Sequence, residues 1–216
     1  MKNLNLLPLL TTAFMLWGFT IGSKYEAAMK ENIEKIYQAS TAEELQSVIN
    51  NFDRIAQMEK DKWEPHYYGA YAYILMTSQT DDGPQKDKYL DQALDRVKKG
   101  LTINESEDEL IALEGYIHMM RVTIDPMSRG QQYSGLSMQA FNKALAIDPD
   151  NPRAMYLMGR MEMGTARFFG SDMTPACEKV KSSIQLFENE KPESVTDPTW
   201  GLEQARKVAG YCDQEE

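Results

Sequence analysis

The sequence predicts an all-α fold, a solenoid of helical hairpins stacked in tandem, and three observations carry that reading. The first is the stretch Ala140 to Gly164, AFNKALAIDPDNPRAMYLMGRMEMG, which reads as the end of one helix, a tight turn and the start of the next. Phe141, Ala144 and Leu145 recur at helical spacing. Asp148-Pro149-Asp150-Asn151-Pro152 then stops the helix, because each proline lacks an amide donor and disfavours helix in the residue before it. Asn151 is a good N-cap and Pro152 suits the first helical position. The second observation is register: Gly100 precedes Gly115, and Ala144 precedes Gly159, by the same 15 positions. A stacked repeat needs a small residue wherever two helices cross closely. The third is the interval between equivalent positions, 43 residues from Ala72 to Gly115 and 44 from Gly115 to Gly159.

Composition is compatible with that architecture. A chain of 216 residues that is 42% hydrophobic, with only 13 Gly and 9 Pro, builds a core rather than a disordered tract. The net charge of −10 argues against a nucleic-acid surface, which is basic.

Residues 1–23, MKNLNLLPLLTTAFMLWGFTIGS, hold one basic residue, Lys2, and no other charge until Lys24. A positive start, an apolar stretch and small residues such as Thr20, Gly22 and Ser23 form the layout of a secretory signal. Export to the periplasm is expected, with an uncleaved membrane anchor or a buried first helix as the alternatives. Asn5, Pro8, Thr11 and Thr12 weaken the run as a span, and no cysteine near its end can take a lipid. Once the signal is removed, no stable membrane insertion of the mature chain is expected.

Residues 24–60 are expected to form a helical pair. The second of its helices starts at Ser40 or Thr41, with Glu43 or Glu44 completing a capping box. Leu45, Val48, Ile49, Phe52 and Ile55 then follow at periods of three and four. Residues 61–190 hold three hairpin units. Their first helices contain WEPHYYGAYAYILM, then Ile111, Gly115 and Tyr116, then Arg153 onward. Two of the units carry surplus residues inside the hairpin, SQTDDGPQKDK and IDPMSRGQQYSG, expected either as long intra-repeat loops at one end of the stack or as lengthened helices. Residues 191–216 supply a capping helix, begun by Asp197-Pro198 and ending near Tyr211, and an acidic tail.

Met155, Met158, Gly159 and Glu162 fall on the spacing of the tetratricopeptide pattern. Ser137, Phe141, Ala144 and Pro149 match its small, aromatic, small and proline positions upstream. Met155 stands where Trp is usual, Glu162 where Tyr is usual, and the interval exceeds the common period of about 34 residues. The segment resembles a junction between two tetratricopeptide-repeat (TPR) units. More narrowly, WEPHYYGAYAY, IDPMSRGQ, FNKALAIDPDNPRAMYLMG and the ending DPTWG…C resemble small exported TPR-like proteins of the Bacteroidetes. The resemblance implies a right-handed α-α superhelix and a role in protein interaction, and it supplies no catalytic residue.

In such a superhelix the first helices line a concave face. That projects Gly69, Ala112 and Tyr156 into one row, Tyr73, Tyr116 and Arg160 into a second, and Met76, Met119 and Met163 into a third. Aromatic, Arg and Met side chains favour binding surfaces. The alternative is that they pack against neighbouring helices or the chain's own termini. Arg153 and Arg160, with Arg121, are candidates for a basic patch suited to a carboxylate, or for ordinary ion pairs. The turn Asp125–Gly130 is either a partner contact or a loop pinned by Arg129 to its own helices.

Enzymatic readings find little support. His66 and His118 stand alone, and with Glu114 they make only a remote metal site, with no HExxH or paired-cysteine motif. No phosphate-binding glycine pattern occurs, and no cofactor is expected. Cys177 and Cys212 lie on helices that a solenoid brings together, so export permits a disulfide between them, while simple apolar packing is the other account. The leading expectation is an exported scaffold or adaptor that holds a protein or peptide segment in its concave groove without catalysis. The alternatives are a small-molecule or glycan-binding accessory protein using the tyrosine row, and an enzyme whose site assembles only in three dimensions.

Overall fold

The computed structural model describes residues 15–213, with side chains from residue 24 onward. The first fourteen residues of the expected signal and the last three of the expected acidic tail lie outside the described residues. Nine α-helices follow one another, with no strand among the described residues: α1 (Met15–Gln38), α2 (Ala42–Met58), α3 (Glu64–Met76), α4 (Gly83–Ile103), α5 (Asp108–Ile124), α6 (Pro126–Ile147), α7 (Pro152–Phe169), α8 (Thr174–Asn189) and α9 (Leu202–Cys212). Four antiparallel hairpins, α1/α2 to α7/α8, stack in order, and α9 closes the end on α8. The first helices also touch one another, α1 on α3, α3 on α5 and α5 on α7, and so form an inner layer. Helix α1 runs through residue 23, the expected signal boundary. None of the described helices is long and apolar enough to cross a membrane.

Local chemistry sets the helix starts. Thr41 and Glu44 form a reciprocal capping box at α2. Asn151 accepts from the Ala154 amide at 2.7 Å, with Pro152 at the first position of α7. The stacking register follows the small residues. An added Cβ on Gly115 would lie 2.4 Å from the Phe141 ring, and one on Gly159 would lie 2.8 Å from Val180 and 3.2 Å from the Ala176 carbonyl oxygen. Those contacts admit glycine alone, so the Phe141 ring of α6 lies directly on the α5 backbone and α7/α8 cross at backbone distance.

Of the two options for the surplus residues, the structure takes the second. They extend α4 to 21 residues and α6 to 22, and Asp125 alone separates α5 from α6. Asp125 caps α6 by accepting from the Ser128 amide at 3.1 Å. Arg129 donates to both carboxylate oxygens of Asp87 on α4, at 2.7 and 2.8 Å, so the expected turn is pinned to its own framework.

The last helix corrects an expectation. It begins at Leu202, not after Pro198. Asp197 Oδ2 accepts from the amides of Glu193 and Ser194 at 2.7 and 2.9 Å, which commits it to a turn upstream. Helix can start only past Gly201, whose φ of +121° lies outside the helical region.

Cys177 of α8 and Cys212 of α9 are joined by a disulfide, with Cα atoms 5.8 Å apart and a sequence separation of 35. Closing a loop of that length stabilises by about 4 kcal/mol in the chain-entropy estimate. The double substitution Cys177→Ser/Cys212→Ser is expected to lower the urea unfolding free energy by roughly that amount. Unchanged unfolding would show that α9 docks without help from the bond.

Candidate functional site

The inner layer presents Tyr67, Tyr68 and Tyr71 from α3, Glu109 and Tyr116 from α5, and Arg153, Tyr156 and Arg160 from α7. Residues 190–201, which join α8 to α9 without helix, lie across these side chains as a strap. Residues 193–197 form a turn, and Thr196, Pro198 and Trp200 are buried while Val195 and Thr199 stay exposed. The Trp200 ring stacks on Tyr71, with centroids 4.7 Å apart and planes at 15°, and lies 5.9 Å from the Tyr116 ring. Its Nε1–H donates to Tyr67 Oη at 2.9 Å, and Tyr67 Oη donates to Glu109 Oε2 at 3.1 Å. Tyr68 Oη donates to the Asp197 carbonyl at 3.0 Å.

A single side chain fastens both ends of the strap. Arg153, 2% exposed, donates from Nε to Glu109 Oε1 at 2.7 Å. Its Nη1 donates to Glu190 Oε2 and to the Trp200 carbonyl, each at 3.2 Å, and its Nη2 donates to Glu190 Oε1. Asn151 adds a donor to Glu109 at 2.9 Å. Every polar arm of this buried cluster therefore has a partner.

Burial governs the electrostatics. It pushes the Tyr67, Tyr68 and Tyr71 hydroxyls well above the usual phenol range. Glu109 is also raised, by burial first, although the Arg153 charge pulls it back. Burial opposes the charge on Arg153, but Glu109, Tyr67 and Glu190 more than offset it. Glu107, at the N-terminus of α5, is pushed up to about 7 by burial and then by Asp108, Glu109 and Glu64.

The residues projected onto an open concave face are placed differently. Tyr73, Met76, Met119, Tyr156 and Met163 are buried, as is Arg153. Tyr73 packs against Tyr89 and under the Arg96 guanidinium, on the α4 side of α3. Met163 lies against the disulfide, its sulfur 4.0 Å from Cys212 Sγ. Tyr116 and Arg160 remain half-buried. The groove is not open, because the chain's own strap fills it. The three arginines form no common patch either: Arg121 pairs with Asp87 and Asp91, Arg153 with Glu109 and Glu190, and Arg160 lies 5.6 Å over the Tyr156 ring. His118 stacks on Tyr133 with Glu114 3.8 Å away, while His66 feels Arg96, Lys99 and Asp53. Among the described residues no group of three His, Cys, Asp or Glu side chains is placed to hold a metal.

No protein-family model and no curated protein matches this chain. Solved structures do. The HusA haemophore from Porphyromonas gingivalis, a Bacteroidetes protein, superposes with a TM-score of 0.79 at 24% identity, over 88% of this chain and 94% of that one. A thermophilic TPR protein of Thermus thermophilus superposes with a TM-score of 0.58 at 13% identity, over 92% of this chain and 95% of that one. The fold is a TPR-like α-α superhelix.

On this superhelix, the residues that decide the character of the groove are Trp200, Glu190, Glu109, Tyr67 and Tyr71, none of which the repeat spacing singles out. A lone tryptophan in the polar stretch SVTDPTWG is the one signal in the sequence that points to them, since so large an apolar ring outside a helix needs a place to be buried.

The raised Glu107 has a definite consequence for stability. A carboxyl whose folded pKa lies above its unfolded value gives stability that is present at low pH and lost as pH rises, here from about 4.5 through about 7. Glu107→Gln keeps an oxygen for the Asn104 donor and removes the titration. Its melting temperature is expected to gain on that of the wild type steadily from pH 5 to pH 8. A gap that stays constant with pH would refute the assignment.

Proposed function

We propose that this chain is an exported, non-catalytic binding protein that takes up a flat, carboxylate-bearing aromatic ligand of the haem class. The supporting observation is the row of ring systems along the inner layer beside one cation. Tyr71 stacks on Trp200, and Trp200 lies against Tyr116. Tyr116 is half-buried, so the row reaches solvent. Arg160 stands over Tyr156, is hydrogen-bonded to it, and makes no ion pair among the described residues, so its charge has no anionic partner there. Aromatic faces supply area for a planar ring and Arg160 fixes its acidic edge. Likeness to a haemophore over nearly that protein's whole length makes haem the first ligand to try.

The test is a haemin titration of residues 24–216, followed by absorbance and by tyrosine and tryptophan emission. The wild type is expected to bind saturably at one equivalent. Tyr116→Ala/Arg160→Ala is expected to bind about tenfold more weakly, the loss of one aromatic contact plus one charge-assisted hydrogen bond. A spectral change that never saturates, or equal binding by the variant, would sink this reading.

The strap favours a second reading, in which the groove holds a peptide from a partner, because it already holds a non-helical segment of its own chain. A labelled peptide of residues 190–201 added to the Trp200→Ala protein, whose slot is vacated, is expected to bind saturably. Absence of binding would count against a peptide scaffold.

A further inference from the structure

We propose that Trp200 is an exchangeable occupant of the ligand slot, and that the 190–201 strap lifts to let an incoming aromatic ring take the position of the indole; this rests on the small-ligand reading above. The slot is already an aromatic site. It offers the face of Tyr71, the ring of Tyr116 and the hydroxyl of Tyr67, which accepts the indole N–H. What fills it now is a side chain from a segment with no helix of its own.

The way the strap is held fits exchange. Its fastenings are non-covalent, and they converge. The Arg153 guanidinium holds Glu190 at one end and the Trp200 carbonyl at the other, so loss of one side chain's contacts loosens both ends at once and leaves the strap on single hydrogen bonds to Tyr67, Tyr68 and Glu64. Lys191, Pro192, Glu193 and Val195 are exposed, so lifting the strap uncovers chiefly Thr196, Pro198 and Trp200. Gly201 lies immediately beyond the indole at a φ of +121°, and the Phe187 ring stands 2.4 Å from where a Cβ would be. Only glycine fits there, and glycine is also the residue that best accommodates a change of backbone direction.

The covalent bond lies outside the moving part. Cys212 is tied to Cys177, so α9 stays docked on α8 while the strap rises. Tethered at both ends, the indole keeps a high effective concentration near its slot and returns when the ligand leaves. The closed strap lowers the apparent affinity in proportion to the fraction of molecules in which the slot is open.

The experiment compares haemin affinity for the wild type, Trp200→Ala and Glu190→Gln, with helicity checked by circular dichroism. Glu190→Gln loosens the fastening and leaves the slot intact, so it decides the matter alone if Trp200→Ala does not fold. The expected result is a gain of about tenfold or more for Trp200→Ala, corresponding to a slot open in no more than about a tenth of wild-type molecules, and a smaller gain for Glu190→Gln. In the wild type, haemin is expected to accelerate hydrogen exchange at the amides of residues 193–200. Wild-type binding with no gain in either variant, or with those amides slowed, overturns the exchange and leaves the ligand reading standing. No haemin binding by any of the three chains removes the ligand reading and the exchange together.

Discussion

The Arg153 guanidinium is where the separate parts of this molecule meet. Taking a charge of that size out of water costs several kcal/mol, and the cost is offset only when every donor is used and opposite charge lies close by. Here the donors reach Glu109 on α5, Glu190 just past α8 and the backbone of Trp200, so one side chain of α7 holds its inner-layer neighbour α5 and both ends of the strap at once. The dependence runs both ways. Glu109 is itself fully buried, and without Arg153 it would be an uncompensated charge in the core, a loss on the order of 3–5 kcal/mol.

From that clasp follows the character of the inner face. A TPR-like superhelix lined by small or polar residues would leave an open trough. This one is lined by tyrosines, and α3 is apolar on every side, with Tyr67, Tyr68, Tyr71, Tyr73 and Ile74 all buried. A helix without a polar face must be covered all round. Helices α2, α4 and α5 cover three sides of α3, and the strap covers the fourth. The groove is thus completed by residues far away in sequence, and the contacts that close it include the stacking of Trp200 on Tyr71.

Much of the framework was legible in the sequence because its determinants are local. Asn151-Pro152, the Thr41/Glu44 box and the glycines at helix crossings act within one turn or one contact, and they stand where spacing puts them. The surplus residues were legible in position but ambiguous in form, since Asp125-Pro126 both ends one helix and begins the next. The inner face was harder to read. Projection from repeat spacing assumes that a first-helix side chain meets solvent, yet Tyr73 turned toward α4 and Met163 toward α9, because α9 and the strap supply long-range surfaces that no repeat pattern encodes. The polarity of α3 was the missed clue: a helix with no hydrophilic side already implies a cover.

The disulfide makes a covalent ring of nearly all of α8, the strap and α9. Linear repeat arrays lose structure by peeling from whichever end is weaker. A ring cannot peel, so the C-terminal end of this array is shut to fraying while the bond lasts. The α1/α2 hairpin at the other end holds no such bond. Of the groove's walls, α3 lies next to that open end and α7 next to the end the ring holds, so the two sides of the groove stand at unequal distances from a free end of the stack.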